Sequence, residues 1–352
     1  MKRFILTCVA AVMVAAVAFG QELTDAEIER FNQAFEYSDT GKADKAIEIY
    51  NQLLKAHPTD TTVLYEIGYC LYQKQDYAGV AKHFSKLEKK GLVSSGTYVL
   101  HGNALDNMGK TKEAIDIYKK GIEKYPNQGR LYLELGTVYR MQGNLTDAVN
   151  MYSYGIEKDP WLTSNYFRNA QVLCYSNEPV LGMFDAEVHQ LLDPSSDRSA
   201  EMSKAMFEAF SVNVEVKNDT SLVYHYTSNN EITADNDGNL DFPFGLLFEA
   251  FSKTPQDIVC WKEKGLLDIP TITAKKQRFV EEIYANDMFG RYHTPVMAYE
   301  KAVLDAGHWE AFCMWLLRKG DSDAFDAWFD DNGPKFTAFA EWYGENQFNP
   351  ER

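Results

Sequence analysis

Small, aromatic and helix-ending residues recur with a period of 34 residues in the first half of this 352-residue chain. Small residues stand at Ala34, Gly68, Gly102 and Gly136, and aromatic residues at Tyr50, Phe84, Tyr118 and Tyr152. Glycine, alanine and proline recur in the same register except in the second repeat, at Gly41, Gly109 and Gly143, at Ala46, Ala114 and Ala148, and at Pro58, Pro126 and Pro160. The apolar residues between them follow helical spacing, so each unit is predicted to hold two amphipathic helices.

Each recurring position has a physical role. The small residue on the first helix lets the second helix approach closely, and the glycine ends the first helix and makes the turn. The proline ends the unit because it cannot continue a helix. One helix pair cannot bury its own apolar face, whereas stacked pairs share one continuous core.

This order of residues resembles the tetratricopeptide repeat (TPR) family, because four consecutive copies keep one register. The copies span 27–60, 61–94, 95–128 and 129–162. A degraded fifth copy at 163–195 keeps Ala170 in the small position but has Asn177 in place of the turn glycine. The resemblance implies a mainly α fold, a right-handed α-solenoid, and binding of a protein or peptide without catalysis. The whole chain also looks like exported bacterial TPR proteins of uncharacterised role.

In TPR arrays the first helices line a concave groove, and a few fixed positions of each repeat contact the ligand. The resemblance therefore implies a binding groove formed by Phe31, Phe35, Tyr65, Tyr69, Tyr72, Asn103, Asp106, Asn107, Arg130 and Arg140. Asn103 matches the asparagine with which TPR domains bind the backbone of an extended peptide. Arg130 and Arg140 are suited to a carboxylate. The two-lysine clamp of chaperone-tail receptors is not present, which disfavours that class of partner.

An alternative for the same residues is ordinary surface or half-packed structure. Tyr69 and Tyr72 in particular are also suited to packing between repeats. Exposed polar side chains on a helical array are most often simply solvated.

After residue 196 the repeat register fades, and residues 198–352 are predicted to form an acidic, helical domain. Alternation of Val212, Val214 and Val216 with polar residues predicts a short β-hairpin near 212–242. Asp197 is the predicted N-cap of the first helix. Helical spacing predicts helices at 198–210, 295–306, 308–319, 324–329 and 334–345.

The N-terminus has the pattern of a secretory signal. Lys2 and Arg3 precede an apolar run from Phe4 to Phe19, which ends in small residues. We expect residues 1–20 to be removed before Gln21, so that the protein is exported to the periplasm or cell envelope, or secreted. The alternative is an N-terminal membrane anchor, which the shortness of the run disfavours. No stable membrane span is expected after cleavage.

Net charge excludes one class of partner. With 51 acidic and 35 basic residues, the formal charge is −16. A chain this acidic is not drawn to nucleic acid or anionic lipid by its overall field. No nucleic-acid partner is therefore expected.

Known catalytic and metal-binding motifs are missing from the sequence. None of the seven histidines belongs to a close metal-ligand motif, and no nucleotide-binding or nucleophile motif occurs. The segment ADNDGNLD resembles part of a calcium loop, but Thr233 and Phe244 occupy the two outer ligand positions, which favours a hairpin turn. Free thiols are favoured for Cys70, Cys174, Cys260 and Cys313. We expect no enzymatic activity, no catalytic residue, no metal and no cofactor.

Three functional hypotheses follow. The first is an exported scaffold that binds a protein or extended peptide in its groove. In the second, the repeats are a docking arm for an unrecognised enzymatic or carbohydrate-binding domain in residues 198–352. The third is self-association through an exposed end of the repeat array.

Overall fold

The computed structural model describes residues 23–218, 221–234 and 240–352. The predicted signal at residues 1–20 and the Asp-rich turn at 235–239 lie outside these residues. The described chain divides into two compact units between Val138 and Tyr139. We call these the N-terminal unit and the C-terminal unit.

Helix pairs build the N-terminal unit. The helices are α1 (Asp25–Asp39), α2 (Ala43–Ala56), α3 (Thr61–Gln73), α4 (Tyr77–Lys89), α5 (Ser95–Asn107) and α6 (Thr111–Lys124). Helix α7 (Gly129–Met141) crosses the division between the units. Among α1–α6, each odd-numbered helix packs on the next, and successive pairs pack on each other, as the 34-residue period predicts. The predicted mainly α fold with tandem helix pairs is confirmed.

Local sequence explains where these helices begin and turn. Thr24 caps α1 in a capping box with Glu27, and the Asp60 carboxylate accepts two backbone N–H groups at the start of α3. Gly41 and Gly109 adopt φ of 75° and 73°, in the left-handed region that glycine tolerates. In the second repeat this turn position is Gln75, which adopts φ of 59° despite its side chain.

Close approach of the two helices of a repeat depends on a missing side chain. A β-carbon on Gly68 would overlap the Phe84 ring, and one on Gly102 would overlap the Tyr118 ring. Phe84 is fully buried and Tyr118 is nearly so. The recurring pair of a small residue and an aromatic ring is therefore the contact that joins the two helices.

Replacing Gly68 by alanine tests this contact. In an uncrowded helix interior the change stabilises a protein by about 1 kcal/mol, but overpacking against Phe84 is expected to cost about 1–3 kcal/mol instead. Gly344→Ala, in a helix with open space around the glycine, is the matched control. In denaturant unfolding, Phe84→Leu should lower the free energy of unfolding by less in the Gly68→Ala variant than in the unchanged protein. Additive losses would contradict the contact.

The C-terminal unit is also mainly helical. Its helices are α8 (Leu145–Lys158), α9 (Thr163–Leu173), α10 (Pro179–Leu192), α11 (Asp197–Val212), α12 (Phe244–Phe251), α13 (Pro255–Lys264), α14 (Ile269–Ala285), α15 (Pro295–Asp305), α16 (Trp309–Leu317) and α17 (Ser322–Glu345). Strands β1 (Val214–Asn218) and β2 (Ser221–Tyr224) pair antiparallel, as do β3 (Thr233–Ala234) and β4 (Leu240–Asp241). None of the helices in the described part of the chain is long and apolar enough to cross a membrane.

The division between the units differs from the predicted end of the repeats at residue 195. One hydrophobic core extends from Tyr166 in α9 to Phe348 near the C-terminus. Helix α10 contacts α9, α11, α12 and α15, so the degraded repeat shares its core with the C-terminal helices. Helix α10 is therefore an apolar helix that is buried on most sides, whereas the last helix of a terminal repeat would have one face in solvent.

One predicted helix start in this unit is corrected. The N-cap of α11 is Ser196, whose side chain accepts the Ser199 N–H, and Asp197 is the first helical residue. The two helices predicted at 324–329 and 334–345 form the two parts of α17, which are separated by a kink with non-helical backbone at Asn332. Pro334 explains the kink, because proline removes a helical hydrogen bond and clashes with the preceding turn.

A buried cluster of charged residues joins α10, α14 and α15. The Lys276 ammonium lies 2.6 Å from a Glu187 oxygen and 2.5 Å from a Glu300 oxygen, and all three side chains are almost fully buried. Burial, together with the neighbouring Glu300, raises the pKa of Glu187 above its usual range, against the lowering effect of Lys276. Lys276 has a raised pKa because the two carboxylates outweigh its burial.

Lys276→Met should destabilise the protein by about 3–5 kcal/mol, because it leaves two acids in one buried site. Since the raised pKa makes the native state hold a proton that the unfolded state releases, stability falls as pH rises above the usual glutamate pKa. Without the ammonium, the free energy of unfolding falls more steeply with pH. The loss of stability in Lys276→Met relative to the unchanged protein should therefore grow between about pH 5 and about pH 8 in denaturant unfolding. Lys301→Met, at a more exposed pair with Asp305, is the control. A deficit independent of pH would contradict this.

Candidate functional site

Three equivalent positions on the first helices of the N-terminal unit carry side chains suited to a peptide, two of them exposed and the third, Asn103, half-buried. Phe35 on α1 is 40% exposed and Tyr69 on α3 is 38% exposed, although both are large and apolar. Asn103 occupies the same position on α5, one 34-residue period after Tyr69. We call Phe35, Tyr69 and Asn103 the exposed row.

Two of the predicted groove residues are mainly packing residues. Phe31 is half-buried, with its ring centroid 5.5 Å from that of Tyr50. Tyr65 is half-buried, and its ring lies against Gly96 of the next repeat and near Phe84. Burial raises the pKa of Tyr65. These rings therefore connect helices within and between repeats.

The polar groove positions are partly engaged by the protein itself. The Tyr118 hydroxyl donates to Asn103 Oδ1. Among the described residues, Asn103 Nδ2 has no acceptor. Asn107 Nδ2 donates to the Tyr72 hydroxyl at 3.1 Å, which links the second and third repeats. Thr111 donates to Asp106 at 2.9 Å. Asn103 thus keeps one amide N–H₂ group available as a donor.

The two predicted arginines occupy different environments. Arg130 donates from Nε to Glu134 at 2.5 Å on the same helix, so a partner carboxylate would have to compete with that pair. Arg140 belongs to the C-terminal unit and is half-buried. Its Nε atom is buried without a hydrogen-bond partner among the described residues.

Arg140 lies near two further arginines that the sequence analysis did not identify. Burial lowers the pKa of Arg168, and so does the positive charge of Arg140 and of Arg198. Arg168 and Arg198 lie over the Phe167 ring, with guanidinium carbons 5.3 and 5.0 Å from its centroid. We call Arg140, Arg168 and Arg198 the arginine cluster.

The signal for Arg198 was present in the sequence. Arg198 stands 34 residues after Ser164 and 68 after Arg130, so the period continues by one unit beyond the predicted end. Arg198 also donates to Ser164 at 3.1 Å. A hydrogen bond from Gln171 to Glu201, at 2.6 Å, joins α9 to α11, and one from Tyr175, just after the end of α9, to Glu208, at 2.8 Å, adds to this contact. Helix α11 therefore occupies the place of a further first helix.

The described residues contain no clustered metal ligands, and their four thiols are buried. Over residues 23–218, 221–234 and 240–352, no three His, Cys, Asp or Glu side chains are placed to hold a metal ion. Cys70, Cys174, Cys260 and Cys313 are buried free thiols. Burial raises the pKa of Cys174 and Cys313, which keeps both protonated.

Comparison with other proteins identifies the repeats. Three models of the tetratricopeptide repeat family match residues 31–91, 95–128 and 117–150. The BBSome complex member BBS4 of Bos taurus is 31% identical over 109 residues, which are 29% of this chain and 20% of that protein. The chain therefore spans about a fifth of the length of this relative.

Solved structures of several repeat proteins also align with part of the chain. The thermophilic TPR protein TTC0263 of Thermus thermophilus is 15% identical, with a TM-score of 0.42, over 51% of this chain and 98% of that one. YrrB, described as a TPR protein with an unusual peptide-binding site, is 18% identical, with a TM-score of 0.37, over 51% and 94%. MamA from Desulfovibrio magneticus RS-1 is 17% identical, with a TM-score of 0.39, over 49% and 98%.

The family matches agree with the 34-residue period and with the helix pairs of the N-terminal unit. Stacked helix pairs of this kind form protein-interaction scaffolds. Residues 31–91 and 95–150 are tetratricopeptide repeats, and this chain is a tetratricopeptide repeat protein over that part of its length.

Proposed function

We propose that this chain is an exported protein whose repeats bind a protein or an extended peptide on the face formed by their first helices. The exposed row carries the proposal. Phe35 and Tyr69 leave apolar area open to solvent at equivalent positions of consecutive repeats. Aromatic side chains of this kind are frequent anchors in protein interfaces.

The exposed row also supplies a polar contact. Asn103 is held by the Tyr118 hydroxyl, which fixes the orientation of its amide and turns Nδ2 away from that contact. An extended peptide offers a backbone carbonyl as acceptor at regular intervals along its length. Two apolar contacts and one donor to a carbonyl are suited to a short extended segment rather than to a charged surface.

In the C-terminal unit, the arginine cluster favours an acidic partner group. Arg140 Nε is buried without a hydrogen-bond partner among the described residues, and burial, together with the positive charges of Arg140 and Arg198, lowers the pKa of Arg168. A carboxylate would satisfy the donor and reduce the repulsion. We therefore infer that a partner reaching this unit presents an aspartate, a glutamate or a C-terminal carboxylate.

Binding of defined peptides tests the role of the exposed row. A displayed library of extended peptides is screened against residues 21–352, and the affinity of the best peptide is measured by fluorescence anisotropy. Phe35→Ala and Tyr69→Ala are each expected to weaken binding by about tenfold, because each removes an apolar anchor.

Met108 provides the control for that experiment. It is 38% exposed in the same unit but follows the end of α5, outside the exposed row. Met108→Ala should leave the affinity within about twofold. Equal losses in all three variants, or a loss only in Met108→Ala, would refute binding at the exposed row.

Export is tested separately through the N-terminus. When the full chain is produced in a bacterium with an active secretion system, the exported product should begin at Gln21 in mass spectrometry. Ala18→Asp should block removal, because a signal peptidase needs a small residue there. Val17→Leu is the control and should be processed normally. A product that retains residues 1–20 in the unchanged protein would contradict cleavage at this site.

A further inference from the structure

The C-terminal unit contains a cleft of about 760 Å³ that the binding face of the repeats does not use. Helices α8, α9, α10 and α15 supply most of its wall. Leu181, which is 45% exposed, lies at its rim, so the cleft is accessible from solvent. Its volume is within the range of about 300–1,000 Å³ that is usual for small-molecule sites.

Most of the wall is apolar. The apolar side chains that line it include Ile156, Leu173, Phe184, Val188, Phe244 and Val296. A wall of this composition binds an apolar body through the hydrophobic effect, and a few polar groups then determine orientation and specificity.

The polar groups converge on Asn169 and Asp185. Asn169 Nδ2 donates to an Asp185 oxygen at 2.8 Å and to Ser153 Oγ at 3.3 Å, so both of its N–H bonds are used. Asn169 is only 3% exposed, and its Oδ1 atom is buried without a hydrogen-bond partner among the described residues. Buried acceptors of this kind are rare in folded proteins, because a lost hydrogen bond to water is not replaced.

Charge restricts the ligand further. Among the described residues that line the cleft there are acidic side chains, including Asp185 and Glu157, but no lysine or arginine. Asp185 accepts the Asn169 amide and has no cationic partner among the hydrogen bonds and ion pairs of the described residues. Burial raises the pKa of Asp185 to about 7, and the Asn169 hydrogen bond only partly offsets this effect. The cleft therefore presents two acceptors, Asp185 and Asn169 Oδ1, and no lysine or arginine among its described lining residues.

We propose that this cleft binds an organic amine, with its ammonium group between Asp185 and Asn169 Oδ1 and its apolar body against the wall of the cleft. An ammonium carries up to three donors and one positive charge. It would satisfy the orphaned acceptor of Asn169 and supply the counter-charge that Asp185 lacks. A neutral alcohol would supply one donor without the charge, and a carboxylate would be repelled.

Calorimetric titration of residues 21–352 tests the proposal with a matched series of probes. The series contains phenethylamine, tryptamine and hexylamine, the alcohols of the same size, and the corresponding carboxylic acids. At least one amine is expected to bind at least tenfold more tightly than its alcohol, and the acids should not bind measurably. An alcohol that binds as well as its amine, or the absence of binding by all three amines, would overturn the proposal.

Two aspartate variants locate the binding. Asp185→Asn keeps the shape of the side chain and an acceptor for Asn169, but removes the charge, so the preference for the amine over the alcohol should fall at least tenfold. Asp326→Asn, at an exposed aspartate of α17 outside the cleft, should leave the preference unchanged. An unchanged preference in Asp185→Asn would overturn the proposal. Because Asp185→Asn removes a half-buried acid whose pKa is raised, its folding is checked by thermal unfolding at about pH 8, where it should be at least as stable as the unchanged protein.

The pH dependence of binding gives a second readout. Other titratable groups also face the cleft or Asp185 from the elements around it, namely Glu157, Tyr166, Cys174, Tyr292, His293 and Glu351. If Asp185 carries the contact, affinity for the amine should rise about tenfold between about pH 6 and about pH 8, as the carboxyl ionises. His293→Gln should keep this rise, and Asp185→Asn should lose it. A rise that disappears in His293→Gln and persists in Asp185→Asn would contradict the assignment to Asp185.

Discussion

The contact on which the repeats depend is the one between a small residue of each first helix and an aromatic ring of the second. Gly68 against Phe84 and Gly102 against Tyr118 leave no room for a β-carbon, so the two helix axes approach more closely than ordinary side chains allow. With the rings buried in this way, the apolar faces of neighbouring pairs form one core. The other sides of the first helices remain available, and the exposed row lies there.

The two units are stabilised by different means. In the N-terminal unit, short-range repetition suffices, because every pair meets only its neighbours. The C-terminal unit has one large aromatic core, and it buries the ion pair of Lys275 with Asp257 as well as the cluster around Lys276. Such buried charges require partners placed accurately in three dimensions, and they limit how the helices pack. The same unit contains the arginine cluster and the cleft, where buried polar groups are not fully satisfied.

Sequence periodicity predicted the mainly α fold and the TPR family because each repeat position has one local role. Even the irregular second turn, with Gln75 in place of glycine, keeps the backbone conformation that the period requires. Groove positions such as Phe35 and Tyr69 were assigned through the family resemblance, whereas the packing of Tyr65 depends on a glycine in the next repeat. The hydrogen bond between Asn169 of α9 and Asp185 of α10 joins two residues that are 16 positions apart in the sequence, and no short sequence motif indicates it. The arginine cluster and the cleft were missed because they depend on which side chains are buried together in the folded chain, and a short stretch of sequence does not show this.

The most direct test of the central claim is amide hydrogen exchange of residues 21–352 with and without a saturating peptide. If the first helices of the repeats form the binding face, protection should increase in α1, α3 and α5 and should change little in α2, α4 and α6. Protection confined to the second helices, or to α12–α17 of the C-terminal unit, would contradict the account.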